Sequence, residues 1–153
     1  MWPAIFGATN LVALAAWAIL LFLPRRPFAM ASVLYLGIAL LCLIYAVLLV
    51  LLVTGTVDPL RDVGATSPDL TEISLAGIKA LFRSDGAIVL GWTHYLAFDL
   101  FVGLWIARDA DAKGFSRIAQ APILLATFLV GPIGLLIWLA IRERRARASG
   151  RWE

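Results

Sequence analysis

The chain has few of the residues on which soluble and metal-binding proteins depend. Charged residues are 15% of its 153 positions, and there is one cysteine, Cys42, and one histidine, His94. A lone cysteine excludes an intramolecular disulfide. One cysteine and one histidine also cannot supply the ligand set of a dedicated zinc, iron–sulfur or bis-histidine haem site. We therefore expect no metal and no cofactor.

Charge is almost absent from four long stretches. Residues 1–24, 27–57 and 118–141 contain no charged side chain, and residues 86–107 contain only Asp99. Each stretch exceeds the ~20 residues that cross a bilayer core. The predicted membrane spans are residues 3–23, 30–54, 86–107 and 119–141. Because they leave no room for a soluble domain, the whole 153-residue chain is predicted to be one membrane domain.

The connections between these spans predict how the helices are paired. Short links at residues 24–28 and 108–117 indicate two helical hairpins, and hence an all-α integral membrane four-helix bundle. The long connection, residues 55–85, has apolar residues at positions 75, 78, 81 and 82, which is helical spacing. It is therefore predicted to contain a short helix at the membrane interface. Ser84 is placed to cap the third span.

The positive charges favour one orientation only weakly. If all four spans cross, the N-terminus, the 55–85 connection and the basic tail 142–153 share one side with eight Lys and Arg residues, against five in the short links. We therefore predict that both termini are cytoplasmic. The tail is interpreted as a contact with anionic membrane lipids, and nucleic-acid binding is not expected. The first span lacks the marks of a cleaved signal peptide, and we expect a bacterial plasma-membrane protein.

Asp99 is the most informative residue, because it is a formal charge near the middle of a predicted span. A carboxyl group at that depth costs roughly 2.5–3.5 kcal/mol on insertion scales, and such residues usually serve a function. We predict that Asp99 is a general acid and that His94, the titratable base nearest to it, is a general base. The alternatives are that Asp99 accepts hydrogen bonds from a neighbouring helix and that His94 is a packed or interfacial histidine.

The third span has two candidate ligand-binding faces. At ~100° per residue, Trp92, Tyr95 and Gly103 fall on the face of Asp99, and a second aromatic stripe that includes His94 lies roughly 140° away. A direct hydrogen bond between His94 and Asp99 is therefore not expected, although a ligand lying along the groove could contact both. The predicted ligand-binding residues of this span are Trp92, Tyr95, Phe98, Phe101, Gly103 and Trp105.

Two residues of other spans complete the predicted site. Asn10 is a lone amide in the first span, and its alternative role is an interhelical hydrogen bond. Pro132, within Gly131-Pro132-Ile133-Gly134, interrupts the fourth span and leaves the carbonyl group of Phe128 without its helical donor. The resulting kink could open a pocket, or the glycines could serve close helix packing.

Three segments together resemble a known family of small four-span membrane proteins. They are Leu75-Ala76-Gly77-Ile78-Lys79-Ala80-Leu81-Phe82-Arg83-Ser84, Trp92-Thr93-His94-Tyr95-Leu96-Ala97-Phe98-Asp99-Leu100-Phe101 and Gly131-Pro132-Ile133-Gly134. The family includes the plant abscisic-acid-deficient-4 type of neoxanthin synthase. The resemblance covers nearly the whole chain in span order and link length, and His94-x4-Asp99-Leu100-Phe101 is its most specific part.

The resemblance implies an isomerase of carotenoids or related isoprenoids. The plant reaction opens an epoxide and creates an allene without net redox change, so it needs an acid and a base, which by resemblance are Asp99 and His94. The substrate does not carry over with the fold, because most bacteria lack violaxanthin. The alternatives are a protein that binds carotenoid or lipid, or assembles with a membrane partner, without catalysis and, less favoured, a proton relay or transporter.

Overall fold

The computed structural model describes residues 1–57 and 74–149, with side chains described as far as residue 143. Every regular element within these residues is a helix. Four of the helices are long and apolar enough to cross a membrane. The helices are α1 (Trp2–Phe22), α2 (Pro27–Val53), α3 (Leu75–Leu81), α4 (Asp85–Ala112) and α5 (Arg117–Ser149).

Helix α4 is the centre of the molecule, because it packs against α1, α2 and α5. Small residues allow the close approach. A Cβ atom on Gly37 of α2 would lie 2.8 Å from Cβ of Ala16 in α1 and 3.0 Å from a methyl carbon of Leu100 in α4. Helices in membranes associate through such small-residue contacts, since lipid provides no hydrophobic drive to bring them together.

Helix α2 is not a regular α-helix along its whole length. Residues Val33–Ala39 form a π-helical segment between two α-helical parts. Its buried residues are Val33, Gly37 and Ile38, so the wider turns face the bundle where α1 and α4 approach. Nothing in the hydrophobic pattern of residues 27–57 predicted this segment.

Two serines begin the helices that follow the long connection. The Ser74 hydroxyl group accepts a hydrogen bond from the Gly77 N–H at 3.0 Å and begins α3, and Ser84 accepts one from the Ala87 N–H at 3.0 Å and begins α4. The cap predicted at Ser84 is therefore confirmed. The structure has the short helix predicted in this connection, although residues 58–73 lie outside the described part of the chain.

Helix α5 has the length and composition of a span, but it folds back on itself. Val130 has non-helical backbone angles, φ −147° and ψ 62°, and divides α5 into two halves. A Cβ atom on Gly134 would lie 2.5 Å from Cα of Thr127, although seven residues of straight helix would separate these positions by about 10 Å. The second half therefore packs directly on the first.

Contacts at the far ends of the two halves show the same reversal. Gln120 Nε2 donates to Asp111 Oδ1 at 2.9 Å, and Arg142 Nε donates to Asp109 Oδ2 at 2.6 Å. In a straight helix Gln120 and Arg142 would lie about 33 Å apart. Both instead reach the last turns of α4, so residues 119–141 leave that end of the bundle and return to it. A helix that enters and returns in this way is called re-entrant below.

We call the end of the bundle that holds residues 23–26 and 113–116 the basic end, and the end that holds Met1, Thr54 and Ser84 the opposite end. The first three predicted spans connect these two ends. The prediction of two simple hairpins does not describe α5, because its second half runs beside α4 in the same direction. The prediction that both termini share one side depended on α5 crossing.

Candidate functional site

Asp99 lies at the middle of α4 and faces the reversal of α5. It is the fifteenth residue of a 28-residue helix. A Cβ atom on Gly131 would lie 2.7 Å from Cγ and 2.8 Å from Oδ2 of Asp99, so only glycine fits without displacing the carboxyl group. The carboxyl group is thus packed against the backbone at the turning point of the re-entrant helix.

Tyr95 shares this site with Asp99, one helical turn earlier on the same face. Its side chain lies close to the Asp99 carboxyl group and to the Gly131 backbone. Oδ2 of Asp99 is nevertheless buried and has no hydrogen-bond partner among the described residues. A buried acceptor without a partner is costly in a folded protein, and such groups call for a functional or structural explanation.

The turning point of α5 lies at the same depth. Pro132 has no N–H, and the first turn of the second half of α5 begins beside the Asp99 carboxyl group. The N-terminal end of a helix carries partial positive charge and stabilises a nearby carboxylate. This supplies a structural role for Asp99 as an alternative to the predicted catalytic one, because the residue could hold the tip of the re-entrant helix in place.

An aromatic surface leads from this pair toward the opposite end. Trp92 stacks on Tyr95 at 5.2 Å between ring centroids and lies 5.8 Å from the ring of Phe6 in α1. Trp92 Nε1 donates to Asn10 Oδ1 at 3.2 Å. Trp92 and Phe6 are exposed on the outside of the bundle, where lipid would contact them. The predicted site residues Asn10, Trp92, Tyr95 and Asp99 therefore lie together.

His94 lies on a different side of α4. Its ring stacks on Phe98 at 4.5 Å and lies 5.6 Å from the ring of Tyr45 in α2, whereas Asp99 faces α5. Phe98 and Phe101 are more than half exposed. The structure thus does not bring His94 and Asp99 to one point, which agrees with the ~140° between their helical faces.

The remaining predicted residues lie at separate positions. Gly103 is buried against the indole ring of Trp17, where a Cβ atom would lie 2.8 Å from Cζ3, so its visible role is packing. Trp105 has the guanidinium group of Arg142 5.8 Å from its ring centroid, near the basic end. Pro132 is exposed and follows the glycine that faces Asp99.

A second polar cluster, at the basic end, was not found by sequence reasoning. Arg25 Nη1 donates to Asp111 Oδ1 at 2.7 Å, to the Ala107 carbonyl oxygen at 3.0 Å and to Gln120 Oε1. The Arg25 side chain is only 8% exposed. Gln120 is fully buried and also donates to the Phe115 carbonyl oxygen. The hydrogen bonds of this cluster connect the α1–α2 link to α4 and to the start of α5.

Asp109 anchors the returning half of α5 in the same region. Besides Arg142, it accepts a hydrogen bond from Trp138 Nε1 at 3.1 Å and lies 3.5 Å from the Lys113 ammonium group. Trp138 is fully buried and packs edge-on against Phe115 at 5.1 Å. The signal for this cluster was present in the sequence as polar residues beside a predicted span, but only a reversal of α5 brings its members together.

The described residues offer no metal site. No three His, Cys, Asp or Glu side chains in this part of the chain lie close enough together to hold an ion. The chemistry of the mid-depth site therefore consists of one carboxyl group, one phenol and an aromatic surface open to lipid.

These features define a helical membrane protein with an ionisable pair, Tyr95 and Asp99, at half its depth. Comparison with protein families goes further: the model of the ABA4-like family, described as ABA DEFICIENT 4-like, matches residues 4–138. The chain belongs to this family, as the motif in α4 predicted. Comparisons with curated proteins and with solved structures gave no match.

Proposed function

We propose that this ABA4-like protein binds a carotenoid or related isoprenoid and isomerises it by proton transfer at Asp99. The observation that supports this most directly is the Asp99 carboxyl group itself. It lies at mid-depth, one of its oxygens is buried without a partner in the described structure, and the Tyr95 side chain lies close to it. A group held in this way is available to a ligand.

An acid/base isomerisation requires no group beyond this pair. Asp99, as carboxylate, removes a proton from a carbon of the polyene, and the C–H electron pair forms a new C=C bond as a C–O bond breaks. The departing oxygen takes a proton from the Tyr95 hydroxyl group, and the Asp99 carboxylic acid then returns its proton to Tyr95. Atoms and charge balance, with no oxidant or reductant.

The aromatic surface supports an elongated apolar ligand. Phe6, Trp92 and Tyr95 form a continuous set of ring contacts that ends at Asp99, and its outer members are open to the bilayer. An isoprenoid could lie along these rings and reach the carboxyl group without passing through water. Apolar walls with a few convergent polar groups are the usual composition of a small-molecule site.

His94 stays a predicted base, and its role can be tested separately from those of Tyr95 and Asp99. Because its ring packs with Phe98 and Tyr45, it could contact the same ligand only if that ligand extends around α4. In the mechanism above, Asp99 takes the role of base that the family resemblance implied for His94, and Tyr95 supplies the acid that the resemblance implied for Asp99. His94→Ala should therefore reduce turnover much less than Tyr95→Phe.

The test is pigment analysis, by chromatography and mass spectrometry, in a host that makes carotenoids. We expect the wild-type chain to yield an isomerised carotenoid, Asp99→Asn to abolish it and Tyr95→Phe to reduce it strongly. The amount of membrane-inserted protein is measured for each variant, and Leu11→Ala, on the exposed face of α1, is the control. A product that persists in Asp99→Asn would exclude the mechanism.

A non-catalytic binding protein is the second candidate. The same aromatic surface supports it, and so does the position of Asp99 beside the first turn of the second half of α5. It predicts an unchanged pigment profile, with carotenoid that co-purifies with the wild-type chain and is lost from Trp92→Ala. That result would support a carotenoid or related isoprenoid as the ligand, and it would reject isomerisation by proton transfer at Asp99.

A further inference from the structure

The re-entrant helix determines on which side of the membrane the C-terminal part of the chain lies. Arg142 and Trp138 both bond Asp109, and Asp109 lies in the last turn of α4, beside the 113–116 link. Arg142 is therefore at the basic end together with Arg25, although the complete crossing predicted for residues 119–141 would have placed it at the opposite end.

This placement concentrates positive charge at one end of the bundle. Within the described residues, the opposite end holds two Lys or Arg residues, Lys79 and Arg83, and the basic end holds nine. The nine are Arg25, Arg26, Arg108, Lys113, Arg117, Arg142, Arg144, Arg145 and Arg147. The acidic residues of the basic end number three: Asp109, Asp111 and Glu143.

Part of this charge is free to meet a membrane surface. Arg25 and Arg142 are committed to the carboxylates of Asp111 and Asp109. Arg26 and Arg108 are exposed. Exposed arginine residues at the end of a membrane bundle are complementary to the anionic head groups of the cytoplasmic leaflet.

Membrane proteins keep such residues on the cytoplasmic side, and the bias is counted over short loops and the ends of spans. With four full crossings, the count of Lys and Arg in the described residues would be six against five, which favours neither side. With a re-entrant α5 the count in the described residues is nine against two. The reversal places the C-terminal arginine residues at the basic end, and the resulting charge distribution favours a cytoplasmic location for that end.

We infer that the chain crosses the membrane three times, that α5 enters and leaves from the cytoplasmic side, and that the basic end binds the anionic surface of that leaflet. The N-terminus and α3 then face the other side. The tip of α5, at Val130 and Gly131, meets Asp99 from the cytoplasmic half of the bilayer.

The test combines two reporters of sidedness on the full chain. Cys42 is replaced by alanine, and single cysteines are then placed at the exposed positions Ala76 in α3 and Ala112 at the end of α4. A membrane-impermeant maleimide is applied to intact cells and to inverted vesicles. Separately, a fluorescent protein active in the cytoplasm or a phosphatase active outside it is fused to the C-terminus of the full chain.

We expect Ala76→Cys to be labelled in intact cells, Ala112→Cys to be labelled only in inverted vesicles, and the C-terminal fluorescent fusion to be active. A C-terminus on the same side as Ala76→Cys and opposite to Ala112→Cys would overturn the re-entrant helix. A C-terminus on the same side as Ala112→Cys, but outside the cell, would overturn the cytoplasmic assignment of the basic end.

The lipid contact is tested on purified protein in vesicles that contain a quencher-labelled acidic phospholipid or, as control, a quencher-labelled neutral one. A fluorophore on Ala112→Cys should be quenched more strongly by the acidic lipid, and high salt should remove the difference. Combining Arg26→Gln with Arg108→Gln should reduce the preference. Equal quenching by the two lipids would overturn the anionic contact.

Discussion

The carboxyl groups of the two polar regions of this protein are held in opposite ways. At the basic end, Asp109 and Asp111 both pair with arginine and buried Gln120 makes several hydrogen bonds, and the Arg25 Nε atom is buried without a partner among the described residues. At mid-depth, Asp99 has no cationic partner in the described structure, and its Oδ2 atom has no hydrogen-bond partner. Satisfied polar groups hold elements together, whereas an unsatisfied one stores free energy that a ligand can use. The comparison supports a structural role for the first region and the proposed function for the second.

The largest loss of stability is expected from Asp109→Asn. Removing this charge leaves Arg142 without its carboxylate partner and weakens the bond from Trp138. The side chain of Asp109 is 15% exposed, and removing one partner of a buried pair costs about 3 kcal/mol. Unfolding in mixed detergent micelles measures the loss. Asp111→Asn is the matched variant, and its loss should be smaller because Asp111 is 41% exposed. Equal losses would show that burial does not distinguish the two residues.

Gly131→Ala should have the next largest effect, about 1–3 kcal/mol, since the new methyl group would overlap the Asp99 carboxyl group. Gly7→Ala is the control, because no atom lies within 4 Å of its Cβ position and the substitution should be neutral or slightly stabilising. The double variant with Asp99→Ala should recover part of the loss, a coupling that a double-mutant cycle measures. If the losses from Gly131→Ala and Asp99→Ala were simply additive in the double variant, the Asp99 carboxyl group would not contact the tip of α5.

Much of this comparison lies beyond what the sequence could predict. Charge-free runs identified the apolar helices, and the motif around Asp99 identified the family, because both are local patterns. The reversal at Val130 was not predictable, since residues 118–141 have the length and composition of a complete span. Pro132 predicted a kink but not its angle. Tyr95 was placed on the face of Asp99 by helical geometry, but its contact with Gly131 required the position of α5.

Asn10→Ala is expected to cost about 0.6 kcal/mol, the average for hydrogen bonds between membrane helices. The amide accepts from Trp92 Nε1 at 3.2 Å and also donates within its own helix to the Phe6 carbonyl oxygen, so only one contact joins two helices. The same unfolding assay measures it, with Leu11→Ala as the lipid-facing control. A loss above about 2 kcal/mol would mean that Asn10 has a further buried partner.

The smallest effect on stability is expected from His94→Ala, below about 0.5 kcal/mol, because the side chain is exposed and its contacts are ring contacts with Phe98 and Tyr45. Turnover should also fall less than in Tyr95→Phe. If His94→Ala abolished product while the protein stayed folded, the base of the reaction would be His94, and the ligand would have to extend around α4.

The most direct test of the account measures product formation and unfolding together for Asp99→Asn and Asp109→Asn in one carotenoid-producing host. The account predicts that Asp99→Asn loses the product with an almost unchanged unfolding midpoint. It also predicts that Asp109→Asn lowers the midpoint while the folded protein keeps its turnover. If Asp99→Asn unfolded the protein and Asp109→Asn removed only the product, the assignment of structure and function to the two regions would be contradicted.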